Sequence, residues 1–468
     1  MEVALKREAI MAYPKLTTLL IFVVLTLEVG TAIAQAPSTP ITTFRDRRDR
    51  AMQAAADSII LIRSRSSAMS FNEFAFRQDS TFYYLTGLAN AIGALLVLDS
   101  RRHESWLFVP QPGQLPGFGS SLHAPYGYVE SGAASAERLG LDHIESWNDF
   151  ASFVDRRLVE DPTLVIRGPF RNDPASATPA SLIGQDEAGL WEGALRVRWP
   201  QARFGPAPDA NALRALKDAA EVAVLRRVAA SSAAALRAGL MALRPGRRQR
   251  EAELDVVTAC VQAGAERVSF WPWLMTGSNS NIAIALQSLA DSRFLDRVMR
   301  AGELARVDVG CAQEHYEGDV GRTAPVSGRF DQGQREAWDL FVSAYRAALD
   351  TVKPGRTSQD VFAAWQAEFE RRRPHLKTAF GRRTEDVALS TDAAKFWQMH
   401  GVGVASAEGL INTIHVGQVL AFEPILTVDG AGLYLEDMIL VTPDGAEVLT
   451  KGLPYTADEI EAAMLRKR

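Results

Sequence analysis

The arrangement of apolar and polar positions divides the chain into two parts with different patterns. In the first part, two short apolar runs, Ala94–Leu98 and Trp106–Val109, are separated by the polar stretch Asp99–Glu104. Short apolar runs bounded by turn residues predict buried strands, so we expect two strands joined by a turn. The run Gly205–Pro208 holds two prolines, and proline continues neither a helix nor a central strand. It predicts a linker between two domains.

The second part begins with a helical pattern and continues as a mixture of helices and strands. Apolar residues from Leu213 to Val224 recur every three or four positions, which predicts one apolar helix face. A further helix is predicted to end near Leu243, before a proline-glycine pair. Helices predicted around Gln334–Val352 and Ser358–Arg372 interrupt short strands that carry acidic residues. This mixture predicts an α+β fold class with an antiparallel sheet.

The length and charge of the chain limit its organisation and its partners. With 468 residues, the chain is too long for one simple core, and we expect two domains, at residues 44–204 and 211–468. The net charge of -5 gives no reason to expect nucleic acid as a partner, because that binding needs a basic face.

Residues 1–34 have the pattern of a signal peptide. Lys15 precedes the apolar run Leu16–Leu27, and Ala32-Ile33-Ala34 is a small-residue cleavage motif. The run is shorter than the roughly 20 residues that a membrane span needs, and an uncleaved N-terminal anchor is the alternative. We therefore expect export to the periplasm or outside the cell, and a mature chain without a stable membrane span.

The two cysteines, Cys260 and Cys311, bear on the same question. An exported protein can pair its cysteines in a disulfide. However, Cys260 lies among Val256, Val257 and Val261 in a helix-like run. That setting favours burial of both cysteines as free thiols.

Two pairs of acidic residues lie at matched positions of predicted hairpins. Asp308 lies in a strand-like run, and a hairpin with its tip at Gln313–Glu314 would place Asp319 directly opposite it, about 5 Å away at Cβ. Glu423 and Glu436 are symmetric about an Asp-Gly pair, which is a strong two-residue hairpin turn.

The second hairpin contains one irregular position. Pro424 follows Glu423 directly, and it cannot donate a hydrogen bond to the ladder. We expect Glu423 and Glu436 to be paired in spite of this interruption.

Four facing carboxylates repel one another strongly unless they are protonated or bind cations. Together with one histidine, His400, they suit a hard or borderline divalent metal ion. The alternative is that these acids are solvated hairpin positions, which is reasonable for any of them alone. Two matched hairpins together favour the metal site.

The acidic segments resemble those of the pita-bread metallopeptidases, and a segment in the first part is similar to the signature of the aminopeptidase P N-terminal domain. The segments that carry this resemblance are Phe76–Gly87, Asp308–Gly310, Gly318–Gly328, His400–Val404 with Glu408, Phe422–Pro424 and Leu435–Asp437. These segments span nearly the whole predicted mature chain, and they occur in the same order as in the family. The resemblance identifies the chain as a member of the aminopeptidase P, or Xaa-Pro aminopeptidase, family.

The resemblance implies a pita-bread catalytic domain at residues 211–468 behind a smaller, mixed α/β N-terminal domain. It implies two divalent metal ions, commonly manganese, with cobalt or zinc as alternatives. The implied ligands are Asp308, Asp319, His400, Glu423 and Glu436. In this family a metal-bridging hydroxide attacks the scissile carbonyl, and Glu423 matches the general base. The implied substrate is a peptide with proline as its second residue. The sequence leaves open whether the chain forms a homo-oligomer.

Four positions depart from the family pattern. Phe396, Ala407 and Ile284 stand where accessory histidines are usual, and Tyr434 stands where an arginine is usual. Because the histidines serve the substrate pocket, a related dipeptidase or an aminopeptidase with relaxed proline preference is an alternative. A catalytically weak binding protein on the same fold is another.

The histidine segment permits a second alignment. If His400 matched the upstream accessory histidine, Val404 would occupy the ligand position. We prefer His400 as the ligand because Glu408 then falls in register. The remaining histidines are predicted to be exposed; they are His103, His123, His143, His315, His375 and His415. For His415 the alternative is that it replaces one of the missing accessory histidines.

Overall fold

A computed structural model describes residues 39–65, 76–111, 114, 129–170, 187–289, 291 and 296–465. The predicted signal peptide, at residues 1–34, and His123 lie outside these ranges. Among the residues that the structure describes, no helix is both long and apolar enough to cross a bilayer.

The first part of the chain folds around a six-stranded mixed sheet. Its elements are α1 (Ile41–Ala54), β1 (Ser58–Arg63), α2 (Ser80–Thr86), β2 (Leu95–Asp99), β3 (Glu104–Val109), α3 (Ala133–Leu139), β4 (His143–Ser146), α4 (Trp147–Glu160), β5 (Val165–Gly168), α5 (Glu187–Arg198) and β6 (Arg203–Pro206). The strand order is β4-β3-β2-β1-β5-β6. The two predicted strands and their turn are confirmed as β2 and β3.

The predicted linker at Gly205–Pro208 is partly wrong. Its first two residues end strand β6, which pairs in parallel with β5 at the edge of the sheet. An edge strand tolerates proline because one side of its backbone needs no ladder partner.

The second part holds a larger antiparallel sheet covered by helices. Its elements are α6 (Ala210–Arg214), α7 (Ala219–Ala242), α8 (Gln249–Gln262), β7 (Arg267–Val268), β8 (Trp273–Thr276), α9 (Ile282–Ala285), β9 (Leu304–Val309), β10 (Cys311–Gln313), β11 (Tyr316–Glu317), β12 (Val320–Pro325), α10 (Gln332–Leu349), α11 (Ser358–Arg372), α12 (Ala379–Ala388), β13 (Trp397–Gly401), β14 (Val419–Val428), β15 (Ala431–Thr442), β16 (Gly445–Val448) and α13 (Ala457–Leu465). The main sheet has the order β13-β14-β15-β12-β9-β8, with β16 beside β15. The α+β fold class is confirmed.

The single helix predicted from Leu213 to Val224 is wrong, because a capping box interrupts it. The Asp218 side chain accepts a hydrogen bond from the Glu221 amide at 2.9 Å, and the Glu221 side chain accepts one from the Asp218 amide at 3.1 Å. This reciprocal pair satisfies free donors at a helix start, so α7 begins afresh at Ala219. Its end at Ala242 agrees with the prediction.

The register of the aspartate hairpin differs from the prediction. Its turn lies at Glu314–His315, where both residues have positive φ, one residue beyond the predicted tip. Asp308 consequently pairs with Gly321 rather than with Asp319. Because side chains alternate with a period of two, a shift of two positions would keep both aspartates on one face.

The glutamate hairpin has the predicted register. Its ladder runs from Val428 opposite Ala431, through Ile425 opposite Tyr434, and resumes at Phe422 opposite Asp437. This register sets position 423 opposite 436, and the ladder is interrupted at Glu423 and Pro424 as expected for a proline.

The prediction of free thiols is wrong, since Cys260 and Cys311 form a disulfide. It joins α8 to the start of β10, and both residues are fully buried. Apolar neighbours correctly indicated burial of Cys260, but they carried no information about which residue of a distant strand faces it.

The two parts of the chain share buried contacts. The guanidinium of Arg47 donates to the Asp218 carboxylate at 2.7 Å, and the ring of His315 stacks on Tyr83 at 4.2 Å between centroids. The predicted exposure of His315 is therefore wrong. Burial lowers the pKa of His315 to about 4, because the charged imidazolium loses its hydration.

Candidate metal centre

Four strands and the loop before β12 bring the five predicted ligands together at one face of the main sheet. One ligand atom each from Asp319, His400 and Glu436 lies within 4.8 Å of the others. His400 Nε2 lies 3.3 Å from Glu423 Oε1. Asp308 lies in the same cross-strand row as Glu436, with Gly321 between them. The sheet thus supplies a set of four carboxylates and one imidazole.

Two oxygens of this set have no hydrogen-bond partner. Asp308 Oδ1 and Glu436 Oε1 are buried, and neither contacts a donor among the described residues. A buried carboxylate oxygen without a partner is costly, and such atoms call for an additional ligand. Orphaned oxygens in a set of hard donors fit divalent cations.

The pKa values of the carboxylates in the metal-free protein reflect their burial and their proximity to one another. Burial raises the pKa of Asp308 to about 7, although the charge of Arg306 opposes this rise. Burial, followed by the negative charge of neighbouring carboxylates, holds the pKa of Asp319 and Glu436 well above the ordinary range. Bound cations would oppose these shifts, because they stabilise the ionised form of the carboxylates.

The orientation of His400 suits a metal ligand. Its Nδ1 lies 3.1 Å from the carbonyl oxygen of Gly401, and a hydrogen bond there would leave the lone pair on Nε2, toward Glu423. Ligand histidines are commonly fixed by such a second contact. Burial alone would lower the pKa of His400, but the hydrogen bond and charge of Glu423 raise it overall.

Glu408 holds the segment that follows His400. Its amide donates to the Gly401 carbonyl at 2.8 Å, and its carboxylate accepts a hydrogen bond from Lys217 Nζ at 2.7 Å. Val404, the ligand position of the second alignment, lies instead in an apolar cluster. The structure places His400 rather than Val404 among the carboxylates.

A cavity of about 500 Å³ opens beside the carboxylates. This volume lies in the range of small-molecule sites. Aromatic and aliphatic side chains form much of its wall, including Phe270, Trp271, Trp273, Met275, Ile282 and Ile425. The cavity therefore combines apolar wall residues with Asp308, Asp319, Glu423 and His400.

Of the positions that depart from the family pattern, three have described side chains, and they differ in their relation to this cavity. Ala407 lines it, and Ile284 packs beside Met275. The hydroxyl of Tyr434 donates to Glu436 Oε2 at 2.5 Å. His415 is exposed and is not among the residues that line the described cavity.

Arg306 is a cavity residue that the sequence analysis did not single out. It lies two residues before Asp308 in β9, a strand whose six residues are all buried. A charged residue inside a buried strand, at even spacing from a predicted ligand, shares its face. This spacing was the sequence signal that could have identified Arg306 as a residue of the site.

Comparisons with known proteins agree with this geometry. Residues 223–443 match the model of metallopeptidase family M24, and residues 44–165 match that of the aminopeptidase P N-terminal domain. An Xaa-Pro aminopeptidase from Haemophilus influenzae is 24% identical over 457 residues, covering 92% of this chain and 99% of the relative.

Two solved structures share the fold. Proline aminopeptidase P II from Yersinia pestis has a TM-score of 0.71 at 23% identity, covering 92% of this chain and 100% of that chain. A zinc-substituted aminopeptidase P from Escherichia coli in complex with product has a TM-score of 0.70 at 23% identity, with the same coverage.

Proposed function

We propose that this chain, which belongs to the aminopeptidase P family of M24 metallopeptidases, removes the N-terminal residue from peptides with proline second and does so with two metal ions. The chain is a metallo-aminopeptidase by its family. The observation that carries the finer proposal is the convergence of four carboxylates and His400, with two orphaned oxygens, beside the cavity.

The proposal assigns a role to each side chain of the site. Asp308, Asp319, His400, Glu423 and Glu436 hold the metal ions. Two divalent cations bound there would lower the pKa of water and polarise the scissile carbonyl. Glu423 accepts the proton of the attacking water, since a carboxylate next to the nucleophile can act as general base. The hydroxyl of Tyr434 keeps Glu436 in place.

The ligand set bears on the identity of the metal. Four carboxylates and one imidazole suit manganese, with cobalt or zinc as alternatives. The zinc-substituted relative from Escherichia coli supports the inclusion of zinc among the ions that a protein of this fold can hold.

The departures at the cavity favour a relaxed preference for proline. The side chains of Ala407 and Ile284 can donate no hydrogen bond to a substrate. One lost donor at a comparable site costs about 10²–10³ in rate. We therefore expect slow cleavage of Xaa-Pro peptides and a smaller difference between proline and other second residues.

We also propose that the chain acts after export. The signal-peptide pattern of residues 1–34 supports this location. The disulfide between Cys260 and Cys311 supports it as well, because disulfides persist in oxidising compartments.

The test combines metal analysis with a peptide panel on the purified protein. We expect close to two divalent ions per chain and cleavage of Ala-Pro peptides above the rate for matched Ala-Ala peptides. Glu423→Gln should abolish turnover, because an amide cannot accept the proton. Asp429→Asn, which likewise replaces a carboxylate by an amide but at the exposed tip of the same hairpin, is the matched control and should keep both properties. Absence of metal after reconstitution would favour a binding protein instead.

A further inference from the structure

Arg306 places an unpaired positive charge beside the candidate metal centre. Its side chain is buried, with 1% exposure. Neither Nε nor Nη2 has a hydrogen-bond partner among the described residues, which do not include 290 or 292–295. Burying a charged group without a partner is costly, so the arrangement calls for an anionic partner.

Asp308 does not serve as that partner. Its charge interacts with that of Arg306, yet Asp308 Oδ1 and two nitrogens of Arg306 all lack a hydrogen bond. The two groups are close enough to influence each other, but they leave each other unpaired. Under the proposed function Asp308 binds a cation, so Arg306 then needs a different anion.

Two aromatic rings hold the guanidinium near the carboxylates. Its central carbon lies 5.2 Å from the centroid of Trp273 and 5.4 Å from that of Tyr434. Trp273 pairs directly with Asp308 across the sheet, and the Tyr434 hydroxyl reaches Glu436. Cation–π contacts with both rings restrict the orientation of the planar guanidinium and of its forked donors.

The other arginine of the cavity differs in this respect. Arg250 also lines the cavity, but its Nη1 lies 3.3 Å from the Glu253 carboxylate. Its charge is therefore already neutralised by a neighbour. Of the two arginines in the described wall, Arg306 is the one free to bind an anion.

The spacing along β9 indicates which anion can reach Arg306. Two residues of a strand span about 6.6 Å from Asp308 to Arg306. The C-terminal carboxylate of a dipeptide or tripeptide lies one or two residues beyond the cleaved bond, and each residue spans at most about 3.6 Å. Its reach of up to about 7 Å is therefore of the same order as the backbone spacing between Asp308 and Arg306. A longer peptide would carry its carboxylate past the guanidinium.

We propose that Arg306 binds the C-terminal carboxylate of a short peptide and so makes this chain selective for dipeptides and tripeptides. The proposal rests on the proposed function and adds the class of substrate to it. Arg306 is a specificity-determining residue in this scheme, and the pairing is a charge-assisted, forked hydrogen bond.

The experiment compares peptides that differ only at the C-terminus. For wild-type protein, kcat/KM for Ala-Pro-Gly should exceed that for Ala-Pro-Gly amide by about 10- to 100-fold, as expected for a hydrogen bond to a charged group. Arg306→Met should bring this ratio close to one. Arg306→Lys keeps the charge without the fork and should retain part of it. Arg250→Met is the matched control and should keep the wild-type ratio.

A binding measurement separates this inference from the proposed function. Calorimetric titration with the product prolyl-glycine and with prolyl-glycine amide should show the same preference for the free acid, lost in Arg306→Met. If no peptide is cleaved but this binding preference holds, the proposed function fails and the carboxylate site stands. Cleavage with equal rates for acid and amide in the wild type would overturn the carboxylate site alone.

A third pair of peptides distinguishes the source of the carboxylate. Ala-Pro-Asp amide and Ala-Pro-Asn amide carry no free C-terminus and differ only in a side-chain charge. We expect similar rates for the two. An Arg306-dependent preference confined to the aspartyl peptide would contradict the assignment to the C-terminus.

Discussion

At the scale of single residues, replacement of His400 tests which of the two alignments of its segment is correct. As a ligand, it should lose metal affinity when it is replaced, because Nε2 faces the carboxylate set through Glu423. We expect His400→Ala to bind less metal than the wild type, and to lose turnover. Elemental analysis after dialysis against a fixed metal concentration measures this directly. His375→Ala, at an exposed histidine, is the control, and stoichiometric metal in His400→Ala would show that the other alignment is correct.

The raised pKa values of the carboxylates predict how the stability that bound metal adds to the fold changes with pH. In the metal-free protein the pKa of Asp308 is about 7 against an ordinary value of 3.8. A group whose pKa is raised on folding favours the folded state at low pH, and this contribution is lost as pH rises toward the folded-state value. The metal-free protein should therefore lose stability between about pH 4 and about pH 7 from this group, and Asp319 and Glu436 act in the same direction.

Bound cations should remove that loss by neutralising the carboxylates. We expect the difference in Tm between loaded and chelator-treated protein to be larger at about pH 8 than at about pH 5. Groups far from the site, such as His315, titrate in both forms and cancel in the difference. A difference that stays constant with pH would mean that the carboxylates are already charged without metal.

At the scale of secondary-structure elements, the close contact between β12 and β15 determines where Tyr434 lies. A Cβ placed on Gly321 would come within 1.8 Å of the Tyr434 ring. Gly321→Ala should therefore displace this ring and its hydroxyl from Glu436, and it should weaken metal binding. Overpacking of this kind costs about 1–3 kcal/mol of stability.

A glycine in open surroundings provides the control for this substitution. Gly193 lies in α5, and a Cβ there meets no atom within 4 Å. Gly193→Ala should leave metal affinity as in the wild type and slightly raise stability, since alanine favours a helix more than glycine. Calorimetric titration with manganese compares the two variants. Unchanged affinity in Gly321→Ala would show that the tyrosine hydroxyl does not position Glu436.

The two hairpins show how much of these elements the sequence could predict. The Asp429-Gly430 turn is a strong local signal, because both residues readily adopt positive φ, and its register followed correctly. The Glu314–His315 turn also has positive φ at both residues, but Glu-His is not among the residue pairs that mark a two-residue hairpin turn. Its position was consequently missed by one residue, although the shared face of the two aspartates was correct.

Features that depend on distant contacts could not be predicted from local patterns. The stacking of His315 on Tyr83 and the pairing of Cys260 with Cys311 each join residues that are far apart in the chain. The unpaired charge of Arg306 became clear only from its burial and from the absence of hydrogen-bond partners for two of its nitrogens among the described residues. Periodicity reports which face is apolar, but it does not report which element covers that face.

At the scale of the whole molecule, the disulfide connects a helix to a strand of the aspartate hairpin. It closes a loop with a sequence separation of 51 residues. By the loss of chain entropy in the unfolded state, a loop of this length stabilises a fold by about 4 kcal/mol. We expect a reductant to lower the denaturant midpoint of the wild-type protein. The double variant Cys260→Ala/Cys311→Ala should start from a lower midpoint that the reductant does not change. If reduction left the wild-type midpoint where it was, or shifted that of the double variant equally, the disulfide would not contribute to stability.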